Sequence, residues 1–210
     1  GGDGSLGTIA AVAIERELPF VCVPFGTRNH FARDLGLDRN DPLAALDAFR
    51  GVERRIDVGR VGDRLFLNNV SLGVYAFLVH RRERHRRRRN AFARLRALLL
   101  TAVDRNELGL VVDGEPVDAQ LAVVSNNDYR LDLLSLGERD RLDEGQLHVY
   151  LARSWRVSTW DERATTSVTI DAARHRIRAA IDGEPAALET PLEFTIEPAA
   201  LRVLVPPPPD

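Results

Sequence analysis

Lysine and methionine are absent from the 210 residues, cysteine occurs once, and aromatic residues make up 6%. All 29 basic residues are therefore arginine; with the many Ala and Leu, this points to a GC-rich genome more than to a function. The lack of Met leads to the expectation that this sequence is the downstream part of a longer protein. The lone Cys22 excludes an internal disulfide and a multi-cysteine zinc site. Within "FVCVP" it reads as a buried strand thiol. No signal peptide is visible, and no apolar run approaches the roughly 18 residues that span a bilayer. The expectation is a cytoplasmic protein whose membrane contact, if any, is peripheral. A net charge of −2 gives no global pull toward nucleic acid, and none is expected as a partner. What is present, 44% hydrophobic and 29% charged residues, suits one good globular core or two small ones.

The chain changes character near residue 56. Before it, Ser5 is placed to cap a helix over "LGTIAAVAIEREL", which Pro19 ends. "FVCVP" reads as a buried parallel strand, "FGTRN" as a loop, and "HFARDLGL" as a short helix. Asn40, Asp41 and Pro42 start a further helix that Gly51 stops. Residues 1–56 thus read as the C-terminal half of an α/β nucleotide-type domain. From residue 57 to 205 short strands follow one another: "RRIDVGRV", "RLFLNNVSLGV", "ELGLVVDGEPVDAQLAVVSNN", "GQLHVYLAR", "TTSVTI", "HRIRAAIDGE", "LEFTIEP" and "LRVLVPP". Tight D-G and G-D turns between them predict an antiparallel β-sandwich. A basic helical insertion near 81–105 interrupts it, and residues 206–210 form a proline-rich tail.

Three stretches carry candidate chemistry. "GGDGS" before a helix suits a phosphate, because glycines admit backbone N–H groups close to the oxygens and a helix N-terminus favours negative charge. No G-K-[ST] follows, so it is not a P-loop, and alone such a glycine-rich loop is structural more often than not. "PFGTRNHFARDLGL" adds a second Gly-Thr loop at a strand end, where open α/β sheets bind ligands. "IDGEP" supplies Asp182 and Glu184, yet "VDGEP" recurs at Asp113 to Pro116, and D-G is a favoured hairpin dipeptide. Local chemistry does not choose between the two copies.

Taken in order, "GGDGS", "PFGTRNHFAR", "RIDVG", "FLNNVSLGV", "LDEGQLHV" and "IDGEP" resemble the diacylglycerol kinase catalytic family, specifically the bacterial soluble lipid kinases related to sphingosine kinases. The resemblance covers essentially the whole chain. It implies an α/β nucleotide domain like that of NAD kinases, followed by a β-sandwich, with the active site in the cleft between. Because the family motif lies well inside its N-terminal domain, the sequence is expected to lack the upstream part and to be inactive alone. Gly1, Gly2, Asp3, Gly4 and Ser5 match the nucleotide-phosphate loop, and Gly26, Thr27 and Asn29 the nucleotide-contacting G-T-x-N loop. Asp182 and Glu184 match the late D-G-E that holds the general base, which favours the second copy over Asp113. Arg141, Glu144 and Gln146 match a magnesium turn, the first and last through backbone carbonyls; such oxygen ligands suit Mg²⁺ or Ca²⁺. Three positions depart from the pattern. Gly7 replaces an asparagine, His30 an aspartate of a magnesium-linked acidic network, and Glu144 an aspartate.

The resemblance implies ATP-dependent phosphorylation of a lipid hydroxyl such as that of diacylglycerol. ATP and Mg²⁺ would be the cofactors, Asp3 would orient metal-bound water, and Asp182 or Glu184 would accept the hydroxyl proton. A NAD kinase-like activity and a catalytically inactive lipid- or nucleotide-binding relative are the alternatives. "HRRERHRRRR", with arginines from Arg81 to Arg89, reads either as a solvated charge run or as a contact with an anionic membrane.

Overall fold

A computed structural model describes residues 3–26, 29–73, 108–129, 139–153 and 160–207. The chain opens with α1 (Asp3–Glu15), β1 (Phe20–Val21), α2 (His30–Asp34) and a 3₁₀ helix (Ala44–Arg50). Asp41 accepts the N–H groups of Leu43 and Ala44 at the entry to that 3₁₀ helix, satisfying amides that lack an intrahelical partner. Ser5 was expected to cap α1. It lies inside the helix, which begins two residues earlier at Asp3.

Twelve strands follow among the described residues: β2 (Val52–Val61), β3 (Arg64–Phe66), β4 (Asn69–Gly73), β5 (Leu110–Val112), β6 (Glu115–Val117), β7 (Leu121–Asn126), β8 (Leu147–Ala152), β9 (Asp161–Thr165), β10 (Ser167–Asp171), β11 (Arg176–Ile181), β12 (Glu184–Glu189) and β13 (Leu192–Val205). One sheet runs β3-β2-β13-β10-β5-β6; the other runs β12-β11-β4-β7-β8-β9. Every pairing in them is antiparallel except that of β1, which adds in parallel to the end of β13 with Phe20 opposite Val203. The architecture is an α/β part plus an all-β sandwich.

Two expected strands prove to be one, and one proves to be two. "LEFTIEP" and "LRVLVPP" join as β13, whose register against β2 shifts between Glu197 and Leu201. "RLFLNNVSLGV" divides at Leu67 and Asn68, sending β3 to one sheet and β4 to the other. β12 was not anticipated, since "EPAALE" has weak strand preference, and pairing along the whole of β11 overrides it. The helical insertion near 81–105, with its arginines, lies outside the described residues.

The sandwich core gathers Val61, Phe66, Leu72, Val124, Ile170, Ile181 and Phe194, and the Phe66 and Phe194 rings meet edge-on at 6.4 Å. A second core holds Leu6, Ala10, Phe20, Phe31, Ile56, Val58, Leu201 and Val203. β2 and β13 supply both cores, one from each half of their length. Gly59 is required where they meet the sandwich: a Cβ there would lie 2.1 Å from the Phe66 ring. Asp57 pins the shift in register. Its carboxylate accepts the N–H groups of Ala199 (2.8 Å) and Gly145 (2.6 Å), and its own N–H donates to the Leu142 carbonyl.

Candidate active site

The β11–β12 hairpin turns on Asp182 and Gly183, with φ of 48° and 81°. Positive φ at both positions is what a two-residue type I′ turn requires, and Asp-Gly meets it at low cost. The turn aims the Asp182 side chain inward. Its Oδ2 accepts the Leu67 N–H (2.9 Å), and its Oδ1 accepts the N–H groups of Asn68 (2.7 Å) and Asn69 (3.1 Å). The Asp182 N–H in turn donates to the Asn69 carbonyl. Leu67 and Asn68 lie in the break between β3 and β4, where the chain leaves one sheet for the other, and Asn69 opens β4.

α1 completes one wall. A Cβ at Gly7 would sit 3.8 Å from Asp182 Oδ2 and 3.4 Å from the Leu65 carbonyl. The helix that follows the glycine loop is thus brought beside the late D-G-E turn, from opposite ends of the chain. Burial pushes the Asp182 carboxyl up to about 6; the three amide hydrogen bonds and the positive charge of Arg139 pull the other way. A carboxylate with that value is ionised at neutral pH yet basic enough to take a proton in a reaction.

Arg139 lies behind this cluster with its side chain buried. Its Nε donates to Asp34 Oδ2 (2.8 Å), Nη1 to the carbonyls of Leu67 (2.6 Å) and Asn126 (3.2 Å), and Nη2 to Asn68 Oδ1 (2.8 Å). Asp34, at the end of α2, also accepts from the Arg33 guanidinium. Asn126 donates to the carbonyls of Asp57 and Leu67. A buried ion pair holds only when its remaining donors find acceptors, and every one of these bonds reaches a segment at the junction of the two cores.

Residues 1–61 match the family model described as the diacylglycerol kinase catalytic domain. The similarity is to diacylglycerol kinases. The Bacillus subtilis (strain 168) diacylglycerol kinase is 38% identical over 71 residues, covering 32% of this chain and 23% of that one. A Mycobacterium tuberculosis diacylglycerol kinase (strain H37Rv) is 28% identical over 98% of this chain and 75% of its own. A solved diacylglycerol kinase structure from Bacillus anthracis (strain Sterne) matches the fold with a TM-score of 0.68 and 18% identity, over 98% of this chain and 74% of that one. The strongest local matches therefore span about a quarter of the relatives' length.

The other positions matched to diacylglycerol kinases are placed as follows. Gly1, Gly2 and Thr27 lie outside the described residues; Asp3 and Gly4 form the first turn of α1. Ser5 is exposed on that helix. Asn29 is buried in the left-handed conformation, and its amide braces its own loop: Oδ1 accepts the Gly26 N–H (2.7 Å), while Nδ2 donates to the carbonyls of Gly26 and Arg39. Glu184 opens β12, exposed beside Asp182. Arg141 is exposed and pairs with Asp143. Glu144 Oε2 accepts the Asp128 N–H, and the Gln146 carbonyl accepts the Asn127 N–H. Each of these oxygens keeps a lone pair, so the turn offers a carboxylate and carbonyls of the kind a hard cation takes.

Arg139 and Asn126 were not anticipated, and Asn68 lies in the quoted "FLNNVSLGV" motif without a role having been assigned to it. Arg139 is one arginine among 29, with no motif around it. Asp128, His148 and Glu162 bring three ligand-type atoms within 4.8 Å of one another at the edge of the second sheet, and His148 Nε2 lies 3.5 Å from Glu144 Oε2. Among the described residues, no helix is long and apolar enough to cross a membrane.

Proposed function

We propose that this chain is the acceptor-side and part of the nucleotide-side machinery of an ATP-dependent lipid kinase that phosphorylates a lipid hydroxyl. The observation that carries the reading is Asp182: a carboxyl raised to about 6, held by three amides, beside the helix that follows the glycine loop. Similarity to diacylglycerol kinases along nearly the whole chain supports the same reading.

In this mechanism the phosphates of ATP lie at the N-terminus of α1, whose free amides and dipole favour negative charge. Asp182 accepts the proton of the lipid hydroxyl as the hydroxyl oxygen bonds to the γ-phosphorus of ATP and the bond from that phosphorus to the β–γ bridging oxygen breaks, releasing ADP. The amides of residues 67–69 fix the carboxylate so that one geometry serves each turnover. Glu184, exposed at the mouth of the turn, orients the incoming hydroxyl. Bound magnesium would neutralise the phosphate oxygens. A further cation at the turn of Arg141, Glu144 and Gln146 would brace the segment that Asp57 and Asn127 already hold. The arginines between 81 and 89 would keep the enzyme at an anionic membrane surface from the cytoplasmic side, each contributing about 1 kcal/mol.

The test is transfer of labelled γ-phosphate from ATP to a total lipid extract by the full-length protein, with NAD offered in parallel. Label in a lipid supports the proposal, and its identity names the substrate. Label in NAD alone, or ATP binding with no transfer, overturns it.

A further inference from the structure

Two of the three amides that hold Asp182, those of Leu67 and Asn68, lie between β3 and β4 outside any strand, so side chains have to help hold them. Residues 67–69 lead from one sheet to the other, and the Leu67 carbonyl and the Asn68 side chain face the buried guanidinium of Arg139. We propose that Arg139, oriented by Asp34, is a positioning residue for Asp182: it fixes residues 67–69, which in turn fix the carboxylate. The proposal rests on the lipid-kinase reading for its effect on turnover, but not for its effect on Asp182 itself.

The geometry has one bond for each degree of freedom that matters. Nη1 takes the Leu67 carbonyl and Nη2 takes the Asn68 side chain, so the planar fork grips two successive residues of the segment. The Asn126 carbonyl ties the same guanidinium to β7. Nε reaches Asp34, whose side chain is 1% exposed while that of Arg139 is 0% exposed. Lysine has no fork and cannot make this set of contacts. Asp34 comes from α2, directly after the G-T-x-N loop, so α2 and the loop before it are linked by this pair to the carboxylate.

Charge acts in the same direction as geometry. The charged group facing Asp182 is Arg139, whose field favours the ionised carboxylate. Among the described residues, Gly7 of α1 and residues 67–69 bring no titratable side chain to it, and Glu184 of the adjoining strand is exposed. Removing Arg139 loosens the amides and removes the field, and both changes raise the pH at which Asp182 ionises.

Three variants of the full-length protein test this: Arg139→Lys, Asp182→Asn, and the double Asp34→Asn with Arg139→Met. The double avoids leaving one buried charge alone, which could prevent folding. The Asp182 carboxyl titration is followed by NMR with carboxyl-labelled aspartate, assigned by its loss in Asp182→Asn, alongside the pH profile of phosphate transfer. The expected result is a folded double variant in which Asp182 titrates above its wild-type value of about 6. The acid limb of kcat moves upward with it, and turnover at neutral pH falls by about 10- to 100-fold, as for loss of other groups that orient a site from behind. KM for ATP is unchanged, and Arg139→Lys falls between. An unmoved Asp182 titration in either folded variant overturns the proposal. If Asp182→Asn keeps full turnover, the base reading fails instead, while a moved titration still supports the positioning role.

Discussion

Two hairpins in this protein turn on the same four residues, D-G-E-P, and shift the carboxyls of their aspartates in opposite directions. Asp113 and Asp182 both have positive φ (49° and 48°), and each is followed by a glycine in the same region. The backbone solution is identical. Asp113 points outward; the Thr169 N–H and the Arg163 guanidinium hold its carboxyl below the usual range, with desolvation opposing. Asp182 points into the junction of two cores, where burial outweighs three amides and an arginine. Turn chemistry therefore sets the shape of the hairpin and nothing about its use. What the neighbouring segments offer sets the chemistry.

The largest separation between the two copies is expected in catalysis. Asp182→Asn should cut phosphate transfer by about 10²- to 10⁴-fold with ATP affinity nearly intact, the range for removing a general base. Asp113→Asn should leave transfer within about 2-fold, far below that range. Equal losses in the two variants would break the comparison.

Ion pairs behind the two aspartates should differ next. Asp34→Ala strands the buried Arg139 and should cost about 3–5 kcal/mol in denaturant unfolding, the usual loss when one member of a buried pair is removed. Arg163→Ala, beside the exposed Asp113, should cost under about 1 kcal/mol.

A smaller difference lies in the pH dependence of stability. Asp182 keeps its proton to about pH 6 in the folded state, against 3.8 as its reference. The folded state thus binds more protons in between, and its stability falls as pH rises through that window. Relative to Asp182→Asn, the wild type should lose about 2 kcal/mol between roughly pH 4 and 7, after discounting partial exposure. Asp113 has the opposite sign: its contribution is present above 3.8 and is lost on acidification. Unfolding at several pH values, with each aspartate replaced in turn, would show the two slopes. The smallest effect, under about 0.5 kcal/mol, is expected for Asp113→Asn at neutral pH.

How much of this was legible beforehand follows from the range of the interactions. The α/β-then-β order, the parallel placement of "FVCVP" and both D-G turns rest on local spacing, and they were read correctly. Where a long-range partner decides, local reading failed. "EPAALE" becomes a strand because β11 pairs with all of it. β13 stays one strand because β2 and the Asp57 carboxylate absorb its irregularity. Ser5 is not a cap because α1 starts earlier. At the site, motif order pointed to Asp182, but the residues that hold it are a bare arginine, an asparagine side chain and three backbone amides. Backbone amides carry no sequence mark.

The pairing of β1 with β13 has a consequence for synthesis. Phe20 is made well before its strand neighbour Val203, with nearly the whole β-sandwich encoded between them. Until β13 is made, the faces of α1 and β1 that pack against Leu201, Val203 and Val205 stay uncovered. Chaperone dependence should thus concentrate on α1 and β1, although it is β13 that relieves it.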